Sequence, residues 1–86
     1  MKFFRNPKIF SKKTRHGWYI LQNNSKYIRE LNDSAGYIWG LARQPVSIDH
    51  IANKLAKKYH LPLQESLKDT EEFVYDYVRL GLFNTK

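Results

Sequence analysis

No cysteine occurs in this chain, which excludes a disulfide framework and any thiolate metal site, and suits a reducing compartment. Glycine and proline number only four and three, too few for a disordered or low-complexity composition. No apolar run approaches the roughly 20 residues of a membrane span. Met1 to Phe10 also lacks the apolar stretch of a signal peptide. The expectation is a soluble, cytoplasmic protein with no membrane role. Acidic side chains are scarce as well, eight against 15 Lys and Arg. The shortage is local. Residues 1–31 carry Lys2, Arg5, Lys8, Lys12, Lys13, Arg15, Lys26 and Arg29 against Glu30 alone, so the positive field belongs to the N-terminal third.

Catalytic signatures are missing too. The chain has no GxSxG, no HExxH and no glycine-rich phosphate loop. His16, His50 and His60 fall on a turn, a helix face and a helix end, without metal-ligand spacing, and read as solvated or capping residues. Asp49 and His50 are neighbours on a helix and point about 100° apart, so they make no acid/base pair. The expectation is a protein that is not an enzyme and needs no cofactor or metal.

What the chain does contain is apolar and aromatic: 42% hydrophobic and 15% aromatic residues in a length of 86. That suits one domain over residues 1–86 with a modest core. Met1 to Pro7 reads as an arm, frayed or packed. Beyond it, Ile9 to Lys13, Trp18 to Gln22 and Lys26 to Leu31 read as three strands, joined by Thr14-Arg15-His16-Gly17 and by Asn23-Asn24-Ser25. Strand three runs into a helix with Asn32 as the only hinge, which places it at a sheet edge. Tyr27, Arg29 and Leu31 share one of its faces and Ile28 and Glu30 the other. Both Leu31 and Ile28 are suited to the inside, so the alternation leaves the inward face open unless a bulge reconciles them.

Three helices follow. Asn32 or Asp33 caps the first, Asp33 to Ala42, whose stripe Ala35, Ile38, Trp39 and Ala42 has helical spacing. Gly36 and Gly40 weaken that helix unless something packs closely over them. Ser47 caps the second, with Ile48, Ile51, Ala52, Leu55, Ala56 and Tyr59 on one face. Leu61-Pro62 breaks the chain before a third helix, Leu63 to Leu80, stopped by Gly81. Its apolar positions cover an arc of roughly 160°, wider than one packing face requires. Leu63, Leu67 and Val74 are expected to fill the core, leaving Phe73 and Leu80, beside Asp69 and Asp76, for a partner. Leu82 and Phe83 should tuck underneath.

The class is therefore α+β, a three-stranded antiparallel sheet followed by three α-helices in a winged helix-turn-helix-like arrangement. DNA binding is the rival reading for such a fold. Charge disfavours it, because the third helix, which would enter the groove, carries Glu65, Asp69, Glu71, Glu72 and Asp76 against Lys68 and Arg79. A plain stabilising subunit of a larger enzyme is a third reading.

The pattern Glu30-Leu31-Asn32, Ala35, Ile38-Trp39, Leu41, Ser47-Ile48, Ile51-Ala52, Leu55, Tyr59, Asp69, Phe73-Val74, Tyr77 and Gly81-Leu82-Phe83 resembles the PqqD-like family. These are recognition elements for ribosomally made, post-translationally modified peptides. The resemblance implies that the leader segment of a precursor peptide adds as an antiparallel strand to strand three and lies against helix three. The site residues it implies are Lys26, Tyr27, Ile28, Arg29, Glu30 and Leu31 with Asp69, Phe73, Asp76, Tyr77 and Leu80. Lys26 and Arg29 would favour acidic leader residues. The resemblance is strongest to the free-standing lasso-peptide type, which works with a separate leader peptidase and a macrocyclase. A peptide chaperone for a radical S-adenosylmethionine enzyme is the alternative. An open edge strand makes the expected state a monomer or an edge-mediated dimer.

Overall fold

A computed structural model describes residues 1–21 and 28–86. In chain order the elements are β1 (Lys2–Arg5), β2 (Phe10–Thr14), β3 (Gly17–Leu21), β4 (Ile28–Glu30), α1 (Asp33–Leu41), β5 (Val46–Ser47), α2 (Ile48–Tyr59), α3 (Leu63–Arg79) and β6 (Phe83–Thr85). The sheet and three helices expected from the sequence are present, and a second sheet accompanies them. One sheet has the order β2-β3-β4; the other, β5-β1-β6, is antiparallel throughout. Among the described residues no helix is long and apolar enough to cross a membrane.

The second sheet settles the N-terminal arm as packed. Phe3 pairs with Val46 on one side and Thr85 on the other, and it is fully buried. Its ring lies 4.9 Å from Phe83, which stacks on Trp39 at 5.4 Å. Arg5, at the end of β1, extends over the rings of Trp18 and Trp39 at 5.3 and 5.7 Å. Burial there, with Arg43 adding like charge, lowers its pKa from the ordinary arginine value.

Local chemistry fixes the helix ends. The Asn32 side chain accepts from the Ala35 amide at 2.8 Å, and that of Ser47 accepts from the His50 amide at 3.1 Å, each satisfying an otherwise orphaned donor. Gly81, at φ 76°, closes α3 in a left-handed conformation that glycine adopts without strain. The buried seam of α3 is Ser66, Thr70, Val74 and Tyr77. Two of these are polar and still satisfied: Ser66 Oγ donates to the Ala52 carbonyl and Thr70 Oγ1 to the Ser66 carbonyl, both at 2.7 Å. Small side chains on that seam let α3 lie close to α2. Leu63, expected in the core, stands in the first turn and is 45% exposed.

Trp18 lies over the two helix glycines, closely enough to matter at one of them. A Cβ on Gly36 would sit 3.3 Å from Trp18 Cδ1, whereas one on Gly40 would sit 3.5 Å from Nε1, an ordinary contact. Gly40→Ala should therefore stabilise the fold by about 0.5–1 kcal/mol through helix propensity alone. Gly36→Ala should gain less, because Trp18 must shift. Paired thermal melts of the two variants check this ranking.

Candidate functional site

The register of the larger sheet decides which groups β4 offers. Glu30 lies opposite Tyr19, Arg29 opposite Ile20 and Ile28 opposite Leu21, without interruption, so no bulge is needed. Arg29 and Leu31 face inward: Leu31 is buried, Arg29 half-buried, and Ile28 and Glu30 are exposed. The Leu31 amide donates to the Trp18 carbonyl at 3.0 Å. In an antiparallel ladder every second residue makes such a bond, so Arg29 and Leu31 turn their backbone groups toward β3. The N–H and C=O of Ile28 and Glu30 then point the other way. Among the described residues β4 has no neighbour on that side.

Beneath β4 runs α3. The Arg29 guanidinium carbon lies 5.8 Å from the centre of the Tyr77 ring, and Tyr77 packs against Phe73 at 4.1 Å. Burial pushes the Tyr77 phenol up, while the charge and hydrogen bond of Arg29 pull it down. Arg29, whose facing the sequence left open, thus lies half-buried and ties β4 to α3.

Past Leu31 the chain meets two clefts, one on each side of the start of α1. An apolar cleft of about 520 Å³ is lined by Ile38, Leu55, Leu61, Thr70 and Phe73, with Asn32, Asp33 and Asp69 at its polar margin. Tyr59 borders it and donates to Asp33 Oδ2 at 2.6 Å, latching α2 to the first turn of α1. Partial burial, then the bond to Asp33, raises the Tyr59 pKa to about 12. The second cleft, about 720 Å³, is lined by polar and apolar groups alike, with Lys13, Arg15, His16, Glu30, Asp33 and Lys58 around Trp18.

The expected site residues therefore divide. Arg29, Tyr77 and Phe73 come together in one contact chain, and Asp69 joins Phe73 at the apolar cleft. Leu31 and Tyr77 are core residues. Asp76 is exposed and paired with Arg79, and Leu80 is 48% exposed on the last turn; neither borders the cleft. Lys26 and Tyr27 lie outside the described residues. Ile38, Leu55 and Tyr59 line the cleft although their helical spacing marks them only as core, and Leu61 joins them from the break before α3.

The family model for coenzyme PQQ synthesis protein D matches residues 17–82. The chain belongs to the PqqD family. The matched span of this PqqD-family chain runs from β3 to the end of α3 and leaves out β1, β2 and β6. A solved structure described as lasso peptide synthetase B1 complexed with the leader peptide is similar in fold. It has a TM-score of 0.82 and 23% identity, over 98% of this chain and 99% of that one. Among curated proteins none matches the sequence significantly. Among the described residues no group of His, Cys, Asp and Glu is arranged to hold a metal ion.

Proposed function

We propose that this protein holds the leader segment of a ribosomally made precursor peptide by adding it as an antiparallel strand to β4, over residues Lys26 to Leu31, against α3. The observation that carries this reading is the edge of β4, unpaired among the described residues, where Ile28 and Glu30 present their amides and carbonyls beside Phe73 and Tyr77. Backbone pairing supplies affinity without dictating sequence, and side-chain pockets add selectivity. The apolar cleft beyond Leu31 takes an apolar leader side chain, with Asp69 at its rim; Asp76 and Leu80 contact the peptide farther along α3.

The magnitudes suffice. Each backbone hydrogen bond contributes about 0.5–1.5 kcal/mol net, and an apolar side chain seated in the cleft about 1.5–3 kcal/mol. Together these outweigh the ordering of a short disordered segment, giving micromolar or tighter binding. No reaction is assigned to the domain. Its work is to raise the local concentration of the peptide at a separate leader peptidase or other modifying enzyme. The near end-to-end likeness to the lasso-peptide protein favours that pathway over the radical S-adenosylmethionine one.

Titration of a fluorescently labelled cognate leader should saturate, with the amide resonances of Ile28 and Glu30 shifting and slowing in solvent exchange. No saturation up to millimolar peptide would sink the reading.

A further inference from the structure

Peptide docking at the edge of β4 leaves the outward face of its sheet without a role. The register places Phe10 beside Leu21 and Leu21 beside Ile28, one apolar side chain from each strand in a continuous row. These three are 66%, 43% and 66% exposed. Single exposed apolar residues are ordinary on a protein surface; a row spanning every strand of a sheet is a contiguous patch of the kind that marks a contact. Two residues along, the same face carries a second row, Lys12, Tyr19 and Glu30, with both charges exposed.

The order of residues within the rows says what covers them. Two sheets stack face to face about 10 Å apart with their strands nearly aligned. When two copies are related by a two-fold axis running along β3, β2 of one lies over β4 of the other and each residue keeps its height along the strand. Phe10 then meets the partner's Ile28, and Leu21 meets the partner's Leu21. In the second row Lys12 meets the partner's Glu30, and Glu30 the partner's Lys12, on either side of the two Tyr19 rings. One apolar row and one oppositely charged pair thus become complementary to themselves, as an isologous interface requires.

We infer that this protein self-associates through the outward face of β2, β3 and β4 as a two-fold, face-packed dimer. The patch measures about 14 by 17 Å from strand spacing and rise, well below the area of a strong interface. A net charge of +7 on each copy adds repulsion. The dimer is accordingly weak and forms at high concentration. Packing by face leaves the edge of β4 open, so the inference does not depend on peptide binding.

Sedimentation velocity from about 10 µM to 1 mM tests it, a range set by the small interface. The sedimentation coefficient should rise with concentration, and Leu21→Lys should remove the rise while leaving the circular dichroism melt in place. Because the two-fold axis repeats the contact, Lys12→Glu and Glu30→Lys should each turn both charge pairs into like-charge contacts and weaken association by about tenfold or more. An equimolar mixture of the two variants, or both changes in one chain, should restore it. A chain that stays monomeric throughout overturns the proposal. So does a dimer that ignores Leu21→Lys but is lost in Glu30→Pro, which would be edge pairing. Side-chain resonances of Phe10 and Leu21 that follow added leader peptide rather than protein concentration would give the face to the peptide, and overturn it equally.

Discussion

Proline at Ile28 or at Glu30 should leave the protein folded and reduce leader-peptide affinity about tenfold or more, whereas proline at Arg29 should unsettle the sheet itself. The contrast rests on one hydrogen bond. Because the Leu31 amide bonds to the Trp18 carbonyl, the alternation along β4 aims the Arg29 amide at β3 and those of Ile28 and Glu30 at open solvent. Proline is tolerated where an edge N–H faces solvent, and not where it feeds the ladder. Ile28→Pro or Glu30→Pro therefore deletes one donor toward the incoming peptide, about 0.5–1.5 kcal/mol net, and its ring obstructs the approach. Arg29→Pro instead loses a ladder bond and the contact with Tyr77. Fluorescence anisotropy with labelled leader reads the affinity, and thermal melts read the fold. If Ile28→Pro folds normally and binds as the parent does, the peptide docks elsewhere.

Phe3→Ala should be among the most damaging single substitutions in the chain, costing about 3–5 kcal/mol as large buried aromatics do. Phe3 has no solvent exposure, touches the Phe83 ring and belongs to the same aromatic cluster as Trp39. It also sits on the central strand of the smaller sheet, and its loss would open a cavity beside Phe83 in the core. Against a total stability of about 5–15 kcal/mol for a small domain, that loss leaves a marginal fold. The urea midpoint should fall steeply with an unchanged slope. Phe10→Ala, at an exposed position, should move it by less than about 0.5 kcal/mol.

These two residues also mark where reading from sequence succeeded and where it stopped. Asn32, Ser47 and Gly81 act through bonds within a few residues, so the three helices and their ends were legible locally. The hairpin from Phe10 to Leu21 was legible for the same reason. The smaller sheet was not, since β5 has two residues and β6 three, too short for any periodicity, and β1 pairs with partners more than 40 positions away. Arg29 was undecidable because Ile28 and Leu31 are equally apolar; only the tertiary demand for Leu31 in the core chose the face. Within the candidate site the edge strand was visible in outline. Leu63 misled because a leucine in the first turn extends past the seam that Ser66 and Thr70 make with α2.

The pairing of β1 with β6, about 80 residues later in the sequence, bears on the order of events during synthesis. Lys2 and Lys86 exchange backbone hydrogen bonds at 3.3 and 2.8 Å, and Phe3 is enclosed only when Phe83 and Thr85 are in place. A chain growing from its N-terminus presents Phe3 first and its cover last, and contacts of such long sequence separation form slowly. Until β6 emerges, the helices and the larger sheet can assemble around an incomplete aromatic core. β6, far from β4 in sequence, is the strand whose arrival closes the aromatic core.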